Sequence, residues 1–213
     1  MNVLASLTTP QILYIAIGSA IVAIAIFLGI YIPVTIKTKS LKLTEYFYKK
    51  VYQVAFNEDY YLINNFGFKV DEGKIAIVDH ILFGEKFIYL ISSLYYEGDL
   101  SGSYDDKSLV FRNNKGIRRY TDNPFGKSEW LLTRISGLTG IDQKLFVGIV
   151  MVNDECNLNV SSQSKQFYIV QRKKFALLVK TLENLNIGKI NADQIDHAVK
   201  AMDKINKRKK KSS

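Results

Sequence analysis

The sequence lacks charge at one end and is poor in cysteine. Its first 36 residues contain no Asp, Glu, Lys or Arg, although the 213-residue chain has 29 basic and 20 acidic side chains. The formal net charge of +9 therefore belongs to the remainder, and it indicates anionic partners such as nucleic acid or anionic lipid. Cys156 is the single cysteine, which excludes an intramolecular disulfide and is typical of a reducing compartment.

Motifs for several enzyme classes are also missing. The sequence has no Ser-His-Asp order, no Gly-rich phosphate loop and no Cys/His spacing of the kind that binds a metal. Cys156 lies beside Asp154 and Glu155 and lacks the cationic neighbours that favour a reactive thiolate. These absences argue against a triad hydrolase, a P-loop nucleotide-binding protein and a thiol enzyme.

The charge-free end contains an apolar stretch at residues 12–34. A helix of roughly 23 residues, at about 1.5 Å per residue, reaches through a hydrocarbon core of roughly 30 Å. The stretch has neither the polar stripe of a buried soluble helix nor the basic start of a cleaved signal peptide. We therefore expect a retained transmembrane helix, preceded by a short segment at residues 1–11.

Basic residues predict how this helix is oriented. Lys37, Lys39 and Lys42 follow the apolar stretch, whereas no basic side chain precedes it. The positive-inside rule then predicts a single-pass protein of the cell membrane, with its N-terminus outside and its folded part in the cytoplasm. We expect residues 207–213 to be a disordered tail that contacts anionic lipid. Its basic side chains are Lys207, Arg208, Lys209, Lys210 and Lys211.

The rest of the chain has the pattern of an α/β domain. Its predicted order is a helix near residues 44–55, several strands, a helix opened by Asn123-Pro124, a further strand and two closing helices. This order predicts a central mixed sheet flanked by helices. We assign residues 41–154 to the domain and residues 155–206 to a C-terminal strand and helices that pack on it.

One acidic residue in an apolar strand carries most of the functional information. Asp79 lies within residues 77–81, which are followed by Gly84, by the apolar residues 87–91 and by the Gly-containing residues 98–102. A carboxylate in such a strand is costly to bury unless something binds it. Asp79 is therefore the first candidate for a metal ligand.

This arrangement resembles the nuclease-related domain (NERD) family of the PD-(D/E)xK nuclease superfamily, which has a restriction-endonuclease-like fold. In that family a strand ending Ile-Asp-His is followed by a Gly turn and an Ile-Glu-x-Lys strand. Thr44-Glu45 approximates the family's Gly-Glu on the first helix, and Asn123-Pro124 matches its Asn-Pro. The resemblance extends over roughly residues 45–154, and it implies that an Asp and a Glu bind magnesium while the Lys activates water.

The resemblance also places two substitutions at the residues that do the chemistry. Ser92 stands where the family has Glu, and Leu94 stands where it has Lys. Asp79 alone would hold a metal weakly, if at all, so we expect no cofactor and a catalytically impaired domain. Such a domain would bind nucleic acid or a protein partner at the inner membrane face.

The alternative is an active magnesium-dependent nuclease whose acidic ligand has relocated. Glu97 or Asp99 would then supply an oxygen beside Asp79, with Glu45 as a third ligand. Against this, Glu97 and Asp99 have the pattern of ordinary turn residues, and Asp79 could accept a hydrogen bond from the backbone or from His80. We expect His80 to point to the opposite face of its strand from Asp79, because successive side chains alternate.

A second candidate site is a basic hairpin. Basic and aromatic residues are interleaved in it. The basic side chains could bind the phosphate backbone of a nucleic acid while an aromatic ring stacks on a base. The residues are Arg112, Lys115, Arg118 and Arg119, with Phe111 and Tyr120. A solvated hairpin without a ligand is the simpler interpretation. The sequence leaves open whether the partner is DNA, RNA or a membrane protein, and it leaves the oligomeric state unknown.

Overall fold

A computed structural model describes residues 9–161 and 164–207, with the side chains of the N-terminal helix described only in part. The chain divides into two compact units, residues 1–45 and 46–213. Helix α1 (Thr9–Asn57) includes residues of both units. The first unit is α-helical wherever it is described.

The predicted membrane anchor receives no support from the structure. Over the described residues, which cover the side chains of residues 12–34 incompletely, no helix is long and apolar enough to cross a membrane. The prediction of a transmembrane helix at residues 12–34 is therefore unsupported by this finding.

The second unit alternates strands with three further helices in the part of the chain that the structure describes. Its strands are β1 (Tyr61–Asp71), β2 (Lys74–Phe83), β3 (Ile88–Leu94), β4 (Gly98–Ser103), β5 (Ser108–Asn113), β6 (Arg118–Asp122), β7 (Phe146–Val152), β8 (Asn157–Ser161) and β9 (Phe167–Gln171). Its helices are α2 (Pro124–Thr139), α3 (Phe175–Glu183) and α4 (Ala192–Ile205).

The strands form two sheets rather than the single sheet that the sequence predicts. The central sheet has the order β1-β2-β3-β7-β9, in which β3, β7 and β9 run parallel and the other pairs are antiparallel. This confirms the prediction of an α/β domain with a mixed sheet. A second sheet, β6-β5-β4-β8, was not expected. Strands β4 and β8 are short and rich in Gly, Ser and Asn, so the sequence there has the composition of turns.

Helices cover both faces of the central sheet, and this explains its nearly continuous apolar strands. On one face, Phe47 and Val51 of α1 and Phe175 of α3 pack against Tyr89 and Ile149. On the other face, α2 and α4 contribute a second buried cluster. The side chains of β7 are buried throughout, as expected for an interior parallel strand.

Helix α2 begins where the sequence predicts. Asn123 is its N-cap, and the Asn123 side chain accepts a hydrogen bond from the backbone N–H of Phe125 at 3.1 Å, while Pro124 occupies the first turn. The Asn123 Nδ2 group also donates to the carbonyls of Ser103, Tyr104 and Asp106. The same residue therefore starts the helix and fixes the loop that follows β4.

The described chain ends in contact with the central sheet. The backbone N–H of Lys207 donates to the carbonyl of Gly67 on β1 at 2.6 Å, so ordered structure includes Lys207. Lys42 is exposed. The other basic residues assigned to the membrane surface lie outside the described side chains. They are Lys37, Lys39, Arg208, Lys209, Lys210 and Lys211.

Candidate functional site

Asp79 contacts the neighbouring strand through its carboxylate. It is half-buried on β2, and its Oδ2 atom accepts a hydrogen bond from the backbone N–H of Ser93 on β3 at 2.6 Å. His80, the next residue, is buried, with its Nδ1 atom 2.7 Å from Asn64 Oδ1. Burial lowers the pKa of His80, and the nearby charge of Asp79 only partly opposes this. One carboxylate oxygen is therefore engaged by the protein itself.

Strand β3 carries no acidic and no basic side chain. Ser92 and Leu94 stand at the two positions that the resemblance gives to Glu and Lys, and both are half-buried. Leu94 packs against the cluster formed by Leu100 and Val152. The Ser93 hydroxyl is buried and has no hydrogen-bond partner among the described residues. The strand thus offers the site a hydroxyl and an alkyl side chain.

These residues do not fit a magnesium ion. Magnesium requires a nearly octahedral set of oxygen ligands and usually takes one or two carboxylates together with phosphate and water. Asp79 supplies one carboxylate with one oxygen already bonded, and Leu94 offers neither an oxygen nor a positive charge. Within residues 9–161 and 164–207, no group of three or more His, Cys, Asp or Glu side chains could hold a metal ion.

The acidic residues that could replace the missing metal ligand are not gathered around Asp79. Glu45 and Glu97 are both exposed. Asp99 accepts two hydrogen bonds from Arg112, at 2.8 Å from Nε and 2.5 Å from Nη2, and a third from Asn157. These hydrogen bonds, Arg112 first, hold the pKa of Asp99 below its ordinary value. The described residues therefore contain no assembled site of this kind.

The basic residues 112–119 lie on a β-hairpin, as the sequence predicts, with β5 and β6 paired antiparallel. One asparagine organises its turn. Asn113 Oδ1 accepts hydrogen bonds from the backbone N–H groups of Lys115 and Ile117, at 3.0 and 2.9 Å. Gly116 follows with φ 79°, a left-handed conformation that a residue with a Cβ atom rarely adopts. The turn therefore fixes the backbone at Lys115, between β5 and β6.

An open groove of about 660 Å³ lies between this hairpin and the segment that follows β3. Aromatic rings, two cations, amide groups and one carboxylate line it. The aromatic and charged lining residues are Tyr95, Tyr96, Phe111, Tyr120, Lys115, Arg119 and Glu97. Tyr96 and Phe111 are in contact, with ring centroids 5.4 Å apart, whereas Tyr120 on the edge strand β6 is 82% exposed. The groove therefore presents apolar ring surface beside positive charge.

The strand register separates the four predicted cations into two pairs. Arg119 lies opposite Phe111, and both line the groove with Lys115. Arg112 lies opposite Arg118, on the other side of the hairpin, because successive residues of a strand face opposite ways. Arg112 is also paired with Asp99. The structure thus brings Lys115 and Arg119 together with Tyr95, Tyr96 and Phe111. The same alternation places the Tyr120 side chain on the face of Arg112 and Arg118, which do not line the groove.

A buried asparagine holds one wall of the groove in place. Asn153 follows β7 and is fully buried. Its Oδ1 atom accepts from the backbone N–H of Tyr96 at 2.8 Å, and its Nδ2 group donates to the carbonyl of Tyr96 at 2.9 Å. The amide therefore pairs with both backbone groups of Tyr96, as a neighbouring strand would, and links the groove to the central sheet.

Comparison with known proteins agrees with this architecture. The family model for the nuclease-related domain matches residues 42–152, which is just over half of the chain. The class is thus that of proteins with a nuclease-related fold, and this chain belongs to the nuclease-related domain (NERD) family. The resemblance stated from the sequence is confirmed. No curated protein and no solved structure matches significantly.

Sequence reasoning missed half of the groove. It singled out Arg119 and Lys115, but it interpreted Glu97 and Asp99 as ordinary turn residues. It did not assign Tyr95, Tyr96 or Asn153 a role. The available signal was the pair of adjacent tyrosines directly after a buried strand, because residues that follow a buried strand lie at the end of the sheet and can contact a ligand. The assignment of these residues to ligand binding stays a prediction.

Proposed function

We propose that this protein is a nucleic-acid-binding member of the nuclease-related domain family that does not hydrolyse its ligand by a magnesium mechanism. The observation that carries the proposal is the groove that follows β3, where Lys115 and Arg119 stand next to the aromatic residues 95, 96 and 111. Cations attract phosphate groups, and rings offer stacking surface for bases. Both features occur within the region that matches the family.

The chemistry of β3 supports binding without cleavage. Phosphodiester hydrolysis by this superfamily needs a metal ion to activate water and to offset charge on the phosphate. Ser92 cannot replace a carboxylate in holding the ion, and Leu94 cannot orient water. The backbone of Ser93 further engages Asp79. What remains of the site can hold the two strands together, which is a structural role.

One assay tests binding and cleavage together. The full chain in mild detergent is incubated with end-labelled DNA and RNA, either with Mg²⁺ or Mn²⁺ or with a chelator. We expect retarded but intact nucleic acid in every case, with an affinity that falls steeply as salt rises. Cleavage that disappears both with the chelator and in the Asp79→Asn variant would show an active nuclease and overturn the proposal.

Membrane association is the second part of the proposal. Apolar side chains of the N-terminal helix are exposed on several sides, including Ile21 at 61% and Phe27 at 62%. Exposed apolar surface of this extent is typical of a segment that contacts lipid or another protein. Lys37, Lys39 and Lys42 support an orientation with the second unit on the cytoplasmic side.

Fractionation tests this second part. We expect the full chain to float with membranes and to resist alkaline carbonate, and a variant lacking residues 2–34 to stay in the supernatant. Protease added to sealed cells should leave the second unit intact. Recovery of the full chain in the soluble fraction would contradict membrane association, and digestion of the second unit from outside would contradict the orientation.

A further inference from the structure

We infer that β6 is an interface at which two copies of this chain pair edge to edge, antiparallel, about a two-fold axis at Tyr120. This inference goes beyond the proposed function and does not depend on nucleic-acid binding. The second sheet has the order β6-β5-β4-β8, so among the described residues β6 has a neighbouring strand on one side only. Its five residues are exposed, except for the half-buried Thr121.

The backbone of β6 presents hydrogen-bonding groups to its free side. At the turn, the Asn113 N–H donates to the carbonyl of Ile117 at 3.0 Å, and hydrogen-bonded pairs then alternate along the hairpin. The alternation directs the backbone groups of Arg118, Tyr120 and Asp122 away from β5. Within the part of the chain that the structure describes, no other backbone group bonds to them. Such an edge is a template for a further strand.

The charges of β6 suit a second copy of the same strand. Arg118 and Asp122 carry opposite charges and, being four residues apart, lie on the same face. They cannot pair with each other, because about 13 Å of strand separates them at roughly 3.3 Å per residue. In an antiparallel pairing centred on Tyr120, Arg118 of each copy lies opposite Asp122 of the other. Both ion pairs therefore form at once.

The hairpin itself leaves the charge of Arg118 without an opposite charge beside it. Arg118 lies opposite Arg112 on β5, and Arg112 is already paired with Asp99. The ion pairs of the described residues include neither Arg118 nor Asp122. Like charges directly opposite each other destabilise a sheet. A carboxylate from a second β6 would offset the repulsion between the two arginines.

Tyr120 lies at the centre of this pairing. Its outward N–H and C=O groups would exchange two hydrogen bonds with the same groups of the second copy, and the whole interface would have about six. Its ring, 82% exposed in the single chain, would stand beside the ring of the second Tyr120, and cross-strand aromatic pairs stabilise sheets. Arg119 faces the other side of β6, so the pairing does not use this side chain of the groove.

Charge-reversed variants of the full chain in mild detergent test the pairing by sedimentation velocity. For so small an interface we expect a dimer with a dissociation constant on the order of 1–100 µM. Arg118→Asp and Asp122→Arg each place like charges opposite one another, and each should weaken the dimer at least about tenfold. An equal mixture of the two variants should restore it, because every cross-strand pair in the mixed dimer is then Asp with Arg.

Recovery in the mixture separates self-pairing from other causes, since a misfolded variant would not regain a partner. Arg134→Asp makes the same charge change at an exposed position of α2 and should leave the dimer unchanged. A parent that is monomeric throughout this concentration range would overturn the inference and leave the edge to a strand of another protein. A dimer that neither β6 substitution weakens, or that Arg134→Asp weakens equally, would overturn it too.

A disulfide at the two-fold axis tests the register. Hydrogen-bonded residues opposite each other have Cα atoms about 5.5 Å apart, a separation that a disulfide can bridge. Tyr120→Cys should therefore form a covalent dimer with the oxidant diamide, and a reducing agent should reverse it. The native Cys156 is buried, so the parent should not cross-link. Arg119→Cys places its thiol opposite Thr121 of the second copy and should cross-link much more slowly. Equal rates would contradict the register.

Discussion

The two sheets of this protein are both built from hairpins and parallel strands, but they differ in what their side chains face. In the central sheet, β7 is buried at every position, and helices cover both faces. In the second sheet, the edge strand β6 is largely exposed and carries two arginines and a tyrosine. The family match includes strands of both sheets, and the groove lies at the edge of the second one.

The largest expected contrast is in stability, and a matched pair of isoleucines measures it. Ile149 on β7 is fully buried, whereas Ile117 beside the groove is 49% exposed. Ile149→Ala should lower the free energy of unfolding by about 2–5 kcal/mol, because it leaves a cavity in the core, and Ile117→Ala by less than about 1 kcal/mol. Urea denaturation followed by the fluorescence of Trp130, the single tryptophan, would check this. Similar losses would show that the second sheet is as tightly packed as the first.

The link between the sheets should give the next largest effect. Asn153→Ala removes both hydrogen-bond partners of the Tyr96 backbone in a buried environment, which should cost about 2 kcal/mol. Hydrogen exchange at the Tyr96 amide should accelerate in this variant. Asn114→Ala, at an exposed position of the hairpin turn, is the control and should leave stability and exchange unchanged. Protection of the Tyr96 amide in Asn153→Ala would contradict a positioning role.

A half-buried carboxylate at the end of α3 should make the stability of the fold depend on pH. Glu183 accepts hydrogen bonds from the Tyr89 hydroxyl at 2.6 Å and from the Lys86 backbone at 2.9 Å. Burial nevertheless raises its pKa above the ordinary 4.5, since desolvation outweighs these bonds. Between the two pKa values the folded state binds more protons than the unfolded chain, so stability falls as pH rises through this window.

The size of this effect is limited to about 1.4 kcal/mol per pH unit for one proton. Unfolding free energies measured from pH 4 upward would reveal the decline in the parent chain. Glu183→Gln cannot titrate and should have a flatter profile at acidic pH. If both profiles have the same slope, another group causes the dependence. The exposed cations of the groove, Lys115 and Arg119, should affect ligand affinity and have little influence on how the unfolding free energy changes with pH.

The smallest effect on stability is expected at Asp79. Asp79→Asn keeps an oxygen that can accept the hydrogen bond from Ser93, so it should cost less than about 1 kcal/mol. Asp79→Ala loses the acceptor and should cost more. Addition of Mg²⁺ should not shift the unfolding midpoint of the parent or of either variant. A magnesium-dependent stabilisation that disappears in Asp79→Asn would show a functioning metal site.

Local patterns made much of the central sheet predictable. Alternating and continuous apolar residues predicted β2, β3 and β7, and Asn123-Pro124 predicted the start of α2, because strand periodicity and helix capping depend on near neighbours. The altered residues Ser92 and Leu94 were equally visible, since a motif is read by position. The two cations of the groove, Lys115 and Arg119, could be named from the hairpin alone.

The second sheet and one wall of the groove could not be predicted, because they depend on pairing between segments that are distant in the sequence. Strand β4 pairs in parallel with β8, and both have a composition that resembles turns. Tyr95 and Tyr96 become a wall of the groove only because Asn153, far along the chain, binds the Tyr96 backbone. No local propensity encodes such a contact, since its free energy exists only once the two segments are packed.

The sequence by itself determined the apolar strands, the cap of α2, the excess of positive charge and the absence of charged side chains from β3. Each of these is a property of side chains and their near neighbours. Only the tertiary structure decided that Asp79 bonds to the backbone of Ser93, that Arg112 pairs with Asp99, and that Lys115 and Arg119 remain beside the tyrosines. Those outcomes depend on which groups the packed sheets bring within a few ångströms of one another.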